Sequence, residues 1–156
     1  MFLDAKKADV PMTLVYQLSK ELEDDPEQVA LAQALSRDQS RPLMGLKGSH
    51  GLFGSQEWWN SIKSGTMPLR YVSGVIKRMY VSGQERDVPE NTFDLITSEG
   101  ATKTESCYAN AKDDCDLYRV GRRVDIVYAL DELKVQPASD GGINLSEIVL
   151  EMAVSL

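Results

Sequence analysis

Asp116-Leu117-Tyr118-Arg119-Val120-Gly121-Arg122-Arg123-Val124-Asp125-Ile126-Val127-Tyr128-Ala129-Leu130 is the stretch that decides the fold class. Tyr118, Val120, Val124, Ile126, Tyr128 and Leu130 all carry even numbers. Successive side chains of an extended chain point to opposite faces, so these six share one face. A helical period would scatter them. The alternation predicts a strand over 116–130, with Val124 and Ile126 in the core.

The same period of two recurs on either side. Within 69–82, Tyr71, Val75, Met79 and Val81 fall on one face, and Val72, Ile76 and Tyr80 on the other. Gly74 sits inside that run, where a sharply bent strand often carries a glycine. In 147–154, Ile148, Leu150, Met152 and Val154 alternate with Val149, Glu151 and Ala153. Two shorter strands are expected at 92–97 and 102–108, the second polar and at an edge. Five mostly antiparallel strands with short polar turns predict a small barrel of the OB or SH3-like kind.

Upstream, the pattern turns helical. Asp9-Val10-Pro11 is expected to open a helix reaching Leu22, with Leu14, Leu18 and Leu22 four apart. Asp25-Pro26-Glu27-Gln28 is a clearer start: an N-cap aspartate, a proline at the first helical position and a capping-box glutamine. Ser55 to Gly65 reads as a short helix capped at both ends, with Trp58 and Ile62 on one face. The expected organisation is a mainly β chain with two or three short helices. A helical segment, 1–65, packs on a barrel, 66–156, as one structural unit.

The chain has 156 residues, with 17 lysines and arginines against 24 aspartates and glutamates, for a net charge of −7. A chain of this length buries an adequate core without disulfides or metals. The acidic balance argues against binding through nucleic-acid phosphates or an anionic membrane, since both call for a basic surface. No apolar run approaches the roughly 20 residues of a membrane-spanning helix. Met1 to Lys7 lacks a signal-peptide core, and the expected location is the cytoplasm.

Familiar catalytic motifs are missing. The single histidine, His50, excludes an H-E-x-x-H metal helix. There is no C-x-x-C, phosphate loop or G-x-S-x-G elbow. Cys107 and Cys115 are read as ordinary free thiols flanking a turn. Asp113, Asp114 and Asp116 are read as a solvated turn, because Arg119 stands where a calcium loop needs glycine. Gly45, Gly48, Gly51 and Gly54 mark an irregular connector. No metal or cofactor is expected.

What remains points to a non-enzymatic protein whose acidic surface meets a basic protein partner, as an inhibitor or immunity-type protein does. Self-association is the other use of such a surface. Phe53 and Trp59 are the expected contact residues. Neighbouring helical residues cannot both face the core, and Trp58 pairs with Ile62, which leaves Trp59 outside. The alternative is an OB-like oligonucleotide or small-ligand module. It would use Arg119, Arg122 and Arg123 with Tyr71, Tyr80 and Tyr118. Acidic side chains outnumber basic ones across 66–156, so nucleic acid is the lesser expectation. Arginines spread among carboxylates favour the first reading; arginines along one aromatic groove favour the second.

Overall fold

The computed structural model describes residues 2–3, 10–81, 90–134 and 144–156. The expected Asp9 cap and the middles of the loops expected at 83–91 and 131–142 lie outside them. The elements run β1 (Met12–Gln17), α1 (Leu18–Asp24), α2 (Pro26–Arg37), α3 (Gln56–Ser64), β2 (Leu69–Tyr80), β3 (Thr92–Thr97), β4 (Thr102–Ser106), β5 (Arg123–Glu132) and β6 (Leu145–Ser155). The class is mainly β with short helices, as the alternation implied.

The two capped helices form where their end signals lie. The Asp25 side chain accepts from the Gln28 amide at 3.4 Å, and Pro26 occupies the first turn of α2. Ser55 Oγ accepts from the Trp58 amide at 3.2 Å, and Gly65, at φ 82°, ends α3 in the left-handed region. Trp58 and Ile62 are the buried residues of α3.

The sheet differs from the expected barrel. Six strands form an open sheet in the order β1-β6-β5-β2-β3-β4, with β1 and β4 as its edges. β1 pairs antiparallel with β6, β2 with β3, and β3 with β4. Hydrogen bonds at both ends of β5 agree with the same antiparallel arrangement. Leu133 N bonds Asn144 O, and Arg123 N bonds Ser155 Oγ. Ile76 N bonds Arg122 O, and Leu130 N bonds Pro68 O.

The sixth strand comes from residues 12–17, which the leucine spacing assigned to a helix. Thr13, Val15 and Tyr16 favour extended backbone, and β6 offers them a ladder from Met12↔Ser155 to Gln17↔Glu151. Tertiary pairing overrides the local period. The outer edge of β1 is covered at Val15 and Gln17 by one residue, Asn110. Asn110 N donates to Val15 O at 3.0 Å, Asn110 Nδ2 donates to Gln17 O at 3.0 Å, and Gln17 N donates to Asn110 Oδ1 at 2.7 Å.

The second correction concerns 116–122, which is not strand. Lys112–Leu117 forms a 3-10 helix, and Gly121, at φ 91°, turns the chain into β5. Tyr118 is buried, but Val120 is 62% exposed. At the other end β5 runs past Leu130 to Glu132, where a loop was expected.

The chain folds as two compact units. The first takes in the chain up to Leu18, Tyr71–Val127 and Leu150–Leu156. Its buried residues include Ile76, Phe93, Leu95, Val124, Ile126, Met152 and Val154. Tyr118 stacks on Phe93 with ring centroids 5.3 Å apart and donates its hydroxyl hydrogen to Tyr108 O at 2.5 Å. Its buried carboxylate, Glu151, receives the Phe2 and Leu3 amides at 2.8 Å each and Gln17 Nε2 at 3.3 Å.

The second unit comprises Ser19–Arg70 and Tyr128–Val149. Trp58, Ile62, Met67, Tyr128 and Ala129 are buried there. Lys134 Nζ donates to the carbonyls of Leu35, Asp38 and Arg41, closing the C-terminal end of α2. Gly51 has φ 95°, and a Cβ there would lie 2.9 Å from the Trp58 amide nitrogen. Only glycine lets the connector pass so close to α3.

Asp131 is fully buried in this unit, on β5. Trp58 Nε1 donates to its Oδ2 at 2.9 Å, while Oδ1 has no partner. Burial pushes the carboxyl above its usual range. The Trp58 indole, the Glu132 amide and His50 act against that rise, and the Glu132 carboxylate adds to it. A raised folded pKa means that protonation favours the fold. The stability is fully present below the unfolded carboxyl value, about 3.9, and is lost as pH rises through the folded value. Asp131→Asn keeps an oxygen for Trp58 and removes the charge. Denaturant midpoints measured across a pH series should fall less with rising pH for Asp131→Asn than for the wild type. Identical profiles would show that Asp131 does not titrate with folding.

Candidate functional site

In the first unit, strand registers bring a set of side chains onto the exposed face of the sheet. Val75 pairs with Ile96 and Arg78 with Asp94 across β2 and β3. Ile96 pairs with Thr102 and Asp94 with Thr104 across β3 and β4. Directly paired residues share a face, as do residues two apart on one strand. Tyr71, Ser73, Val75, Arg78, Tyr80, Asp94, Ile96, Thr102 and Thr104 therefore lie on one side. Arg123 and Asp125 join them through Ser73, whose Oγ donates to Asp125 Oδ1 at 2.7 Å. On the other side, Ile76 pairs with Leu95 and Met79 with Phe93.

A register shift between Ile76 and Arg78 creates this surface. Strict alternation put Met79 with Tyr71 and Val75, and Tyr80 with Ile76. The bulge exchanges them, so Tyr80 joins the exposed set and Met79 turns to the core side. Gly74 permits the close approach of β3 at the same place: a Cβ on it would lie 2.5 Å from the Ile96 carbonyl oxygen.

The polar side chains of the face hold one another. The Arg78 guanidinium carbon lies 4.4 Å from the Tyr80 ring centroid. Tyr80 Oη donates to Asp94 Oδ1 at 3.0 Å, and Thr104 Oγ1 donates to the same oxygen at 2.7 Å. The Thr104 hydroxyl above all, then Tyr80 and the Arg78 charge, hold the Asp94 carboxyl below its usual range. Arg123 grips Asp125 with Nε at 2.8 Å from Oδ1 and Nη2 at 3.1 Å from Oδ2. Between these two networks lie Val75, 47% exposed, and half-buried Ile96. Tyr71, 60% exposed, lies at the end of the row.

The residues singled out from sequence divide accordingly. Tyr71, Tyr80 and Arg123 meet on this face; Arg119, Arg122 and Tyr118 do not. Tyr118 is a core residue. Arg122 Nη1 donates to Leu117 O at 2.7 Å, and Arg119 Nε to Asp116 O at 3.1 Å. Arg119 lines a separate hollow with Met79, Glu90, Cys115, Asp116, Tyr118 and Val120. The arginines are thus spread among backbone carbonyls and carboxylates and line no common aromatic groove. In the second unit Phe53 is 6% exposed and packs edge-on against Trp58 at 5.0 Å, so the exposure expected of it is not found. Trp59 is half-buried, edge-on to Trp58 at 4.9 Å. Arg78, Asp94, Ile96 and Asp125 were missed, because their alignment depends on register and on the bulge.

Cys107 and Cys115 are free thiols. Burial, with Cys115 and Glu90 nearby, pushes the Cys107 thiol up to about 12, which leaves it protonated at neutral pH. No helix among the described residues is long and apolar enough to cross a membrane.

Residues 12–155 match the family model described as immunity protein RhsI2, nearly the whole chain. The chain belongs to the RhsI2 immunity protein family. No curated protein matches it. For a member of an immunity family, the chemistry to look for is contact with another protein. Tryptophan, tyrosine and arginine are the residues most enriched where protein interfaces bind tightly.

Proposed function

We propose that this chain is a non-enzymatic immunity protein that neutralises a toxin by binding it. The family match carries the reading. The net charge of −7 adds its electrostatic character: a basic toxin would be steered toward an acidic partner, with a faster encounter at low salt. Binding of this kind takes place in the cytoplasm and needs no cofactor or metal. Half-buried Trp59 is a contact residue in this reading; buried Phe53 is not. The oligonucleotide reading loses its support, since Arg123 is matched by Asp125 and Arg122 is bound to its own backbone.

The test is a titration of the purified toxin partner of the RhsI2 immunity family, read by calorimetry and by toxin activity. A stoichiometric complex that suppresses activity is expected, with an association rate that falls as ionic strength rises. No complex would overturn the immunity reading. A tight complex whose association rate ignores salt would overturn the basic-partner part alone.

A further inference from the structure

We infer that the toxin docks on the exposed face of the sheet formed by β2, β3, β4 and the start of β5, with the Val75–Ile96 pair at the centre of the contact. This rests on the immunity reading and says where the partner binds. The face has the anatomy of a protein interface: an apolar centre, aromatic and arginine anchors, and a rim of hydroxyls from Thr102 and Thr104. Its anchors are held before any partner arrives. Arg78 is stacked on Tyr80, Tyr80 is bonded to Asp94, and Arg123 is gripped by Asp125. Side chains that are already ordered lose little entropy on binding.

Charge decides the kind of occupant. Arg78 and Arg123 are balanced by Asp94 and Asp125, so the face gives phosphates no net attraction. A depression lined by Ser73, Gly74, Val75, Ile96, Thr97, Ser98 and Arg123 lies open at its centre, broad enough for a protruding side chain and too open to enclose a small ligand. The matching toxin surface presents aliphatic groups to Val75 and Ile96 and hydrogen-bond acceptors to exposed Arg78. The acidic remainder of the chain steers the approach, and this neutral face holds the centre of the contact.

Val75→Arg places a charge at the proposed centre. Val120→Arg makes the same change at a residue 62% exposed in the other hollow and serves as the matched control. Both are titrated with the purified toxin partner beside the wild type. Circular dichroism and the thermal midpoint confirm folding. Val75→Arg should weaken binding by about 30-fold or more, mainly through faster dissociation, with Val120→Arg near wild type. The double variant Tyr71→Ala, Arg78→Ala should weaken it at least about 10-fold, which keeps the test decisive if Val75→Arg fails to fold. Wild-type affinity in Val75→Arg and in the double variant would overturn the docking face while leaving the immunity reading standing. Loss confined to Val120→Arg would move the contact to the other hollow. Sedimentation covers the remaining occupant: a wild-type dimer that Val75→Arg converts to monomers with unchanged toxin binding would make the face a self-association surface and overturn the inference. If the wild type itself does not bind the toxin, the immunity reading fails first.

Discussion

Trp58→Ala is expected to destabilise the protein by about 3–5 kcal/mol, the usual range for truncating a buried tryptophan. Trp58 is fully buried, touches Phe53 and Trp59 edge-on, and donates its indole N–H to Asp131. Alanine would remove the packing and leave a buried carboxylate with neither oxygen bonded to a side chain. Domains of this size are stable by about 5–15 kcal/mol, so the loss is a large share of the total. Trp58→Phe separates the two contributions, because it keeps most of the ring and removes the N–H. Its penalty should shrink when Asp131 is also changed to Asn, which a double-mutant cycle in denaturant would show. A loss below about 1 kcal/mol for Trp58→Ala would mean that α3 is not anchored through this residue.

Ile126→Ala is the second large effect, at about 2–4 kcal/mol, with Val124→Ala close behind. Both side chains are fully buried on β5. Their strand neighbours Arg123 and Asp125 lie on the opposite, half-exposed face. Chemical denaturation measures both. A loss under about half a kcal/mol at each position would mean that the two faces of β5 are assigned the wrong way round.

That assignment was legible because β5 alternates cleanly over Arg123–Ile126, before the run Ile126–Asp131 in which both faces are buried. The same alternation misled over 116–122. Tyr118 and Val120 fit the parity, yet one is a core residue on a turn and the other stands in solvent. The acidic run before them and the left-handed Gly121 break the extended chain, and parity is blind to a break. The helices α2 and α3 were readable because their ends are fixed locally, by Asp25, Pro26, Ser55 and Gly65. β1 was not, because its extended conformation depends on pairing with β6 at the far end of the chain. Closure into a barrel was likewise unreadable from periods, since strand order is a non-local property.

The candidate surface was half visible. Tyr71, Tyr80 and Arg123 stood out as aromatic and basic side chains on strands. Arg78 and Asp94 became part of the site only through cross-strand register, and a single bulge decides which side Tyr80 faces. The acidic balance and the lack of catalytic motifs suggested an interaction protein of inhibitor or immunity type, and the family match supports that coarser reading. It was charge arithmetic, and it carried no information about which face makes contact.

Asn110 bears on how such a protein survives in quantity. An edge strand with bare amides and carbonyls recruits strands from other chains, the usual route to aggregation and domain swapping. Asn110 answers two β1 carbonyls and one β1 amide with its own backbone and side chain, as a neighbouring strand would. It covers the Val15–Gln17 part of that edge without adding a strand. An edge covered in this way is less open to pairing with a strand of another chain.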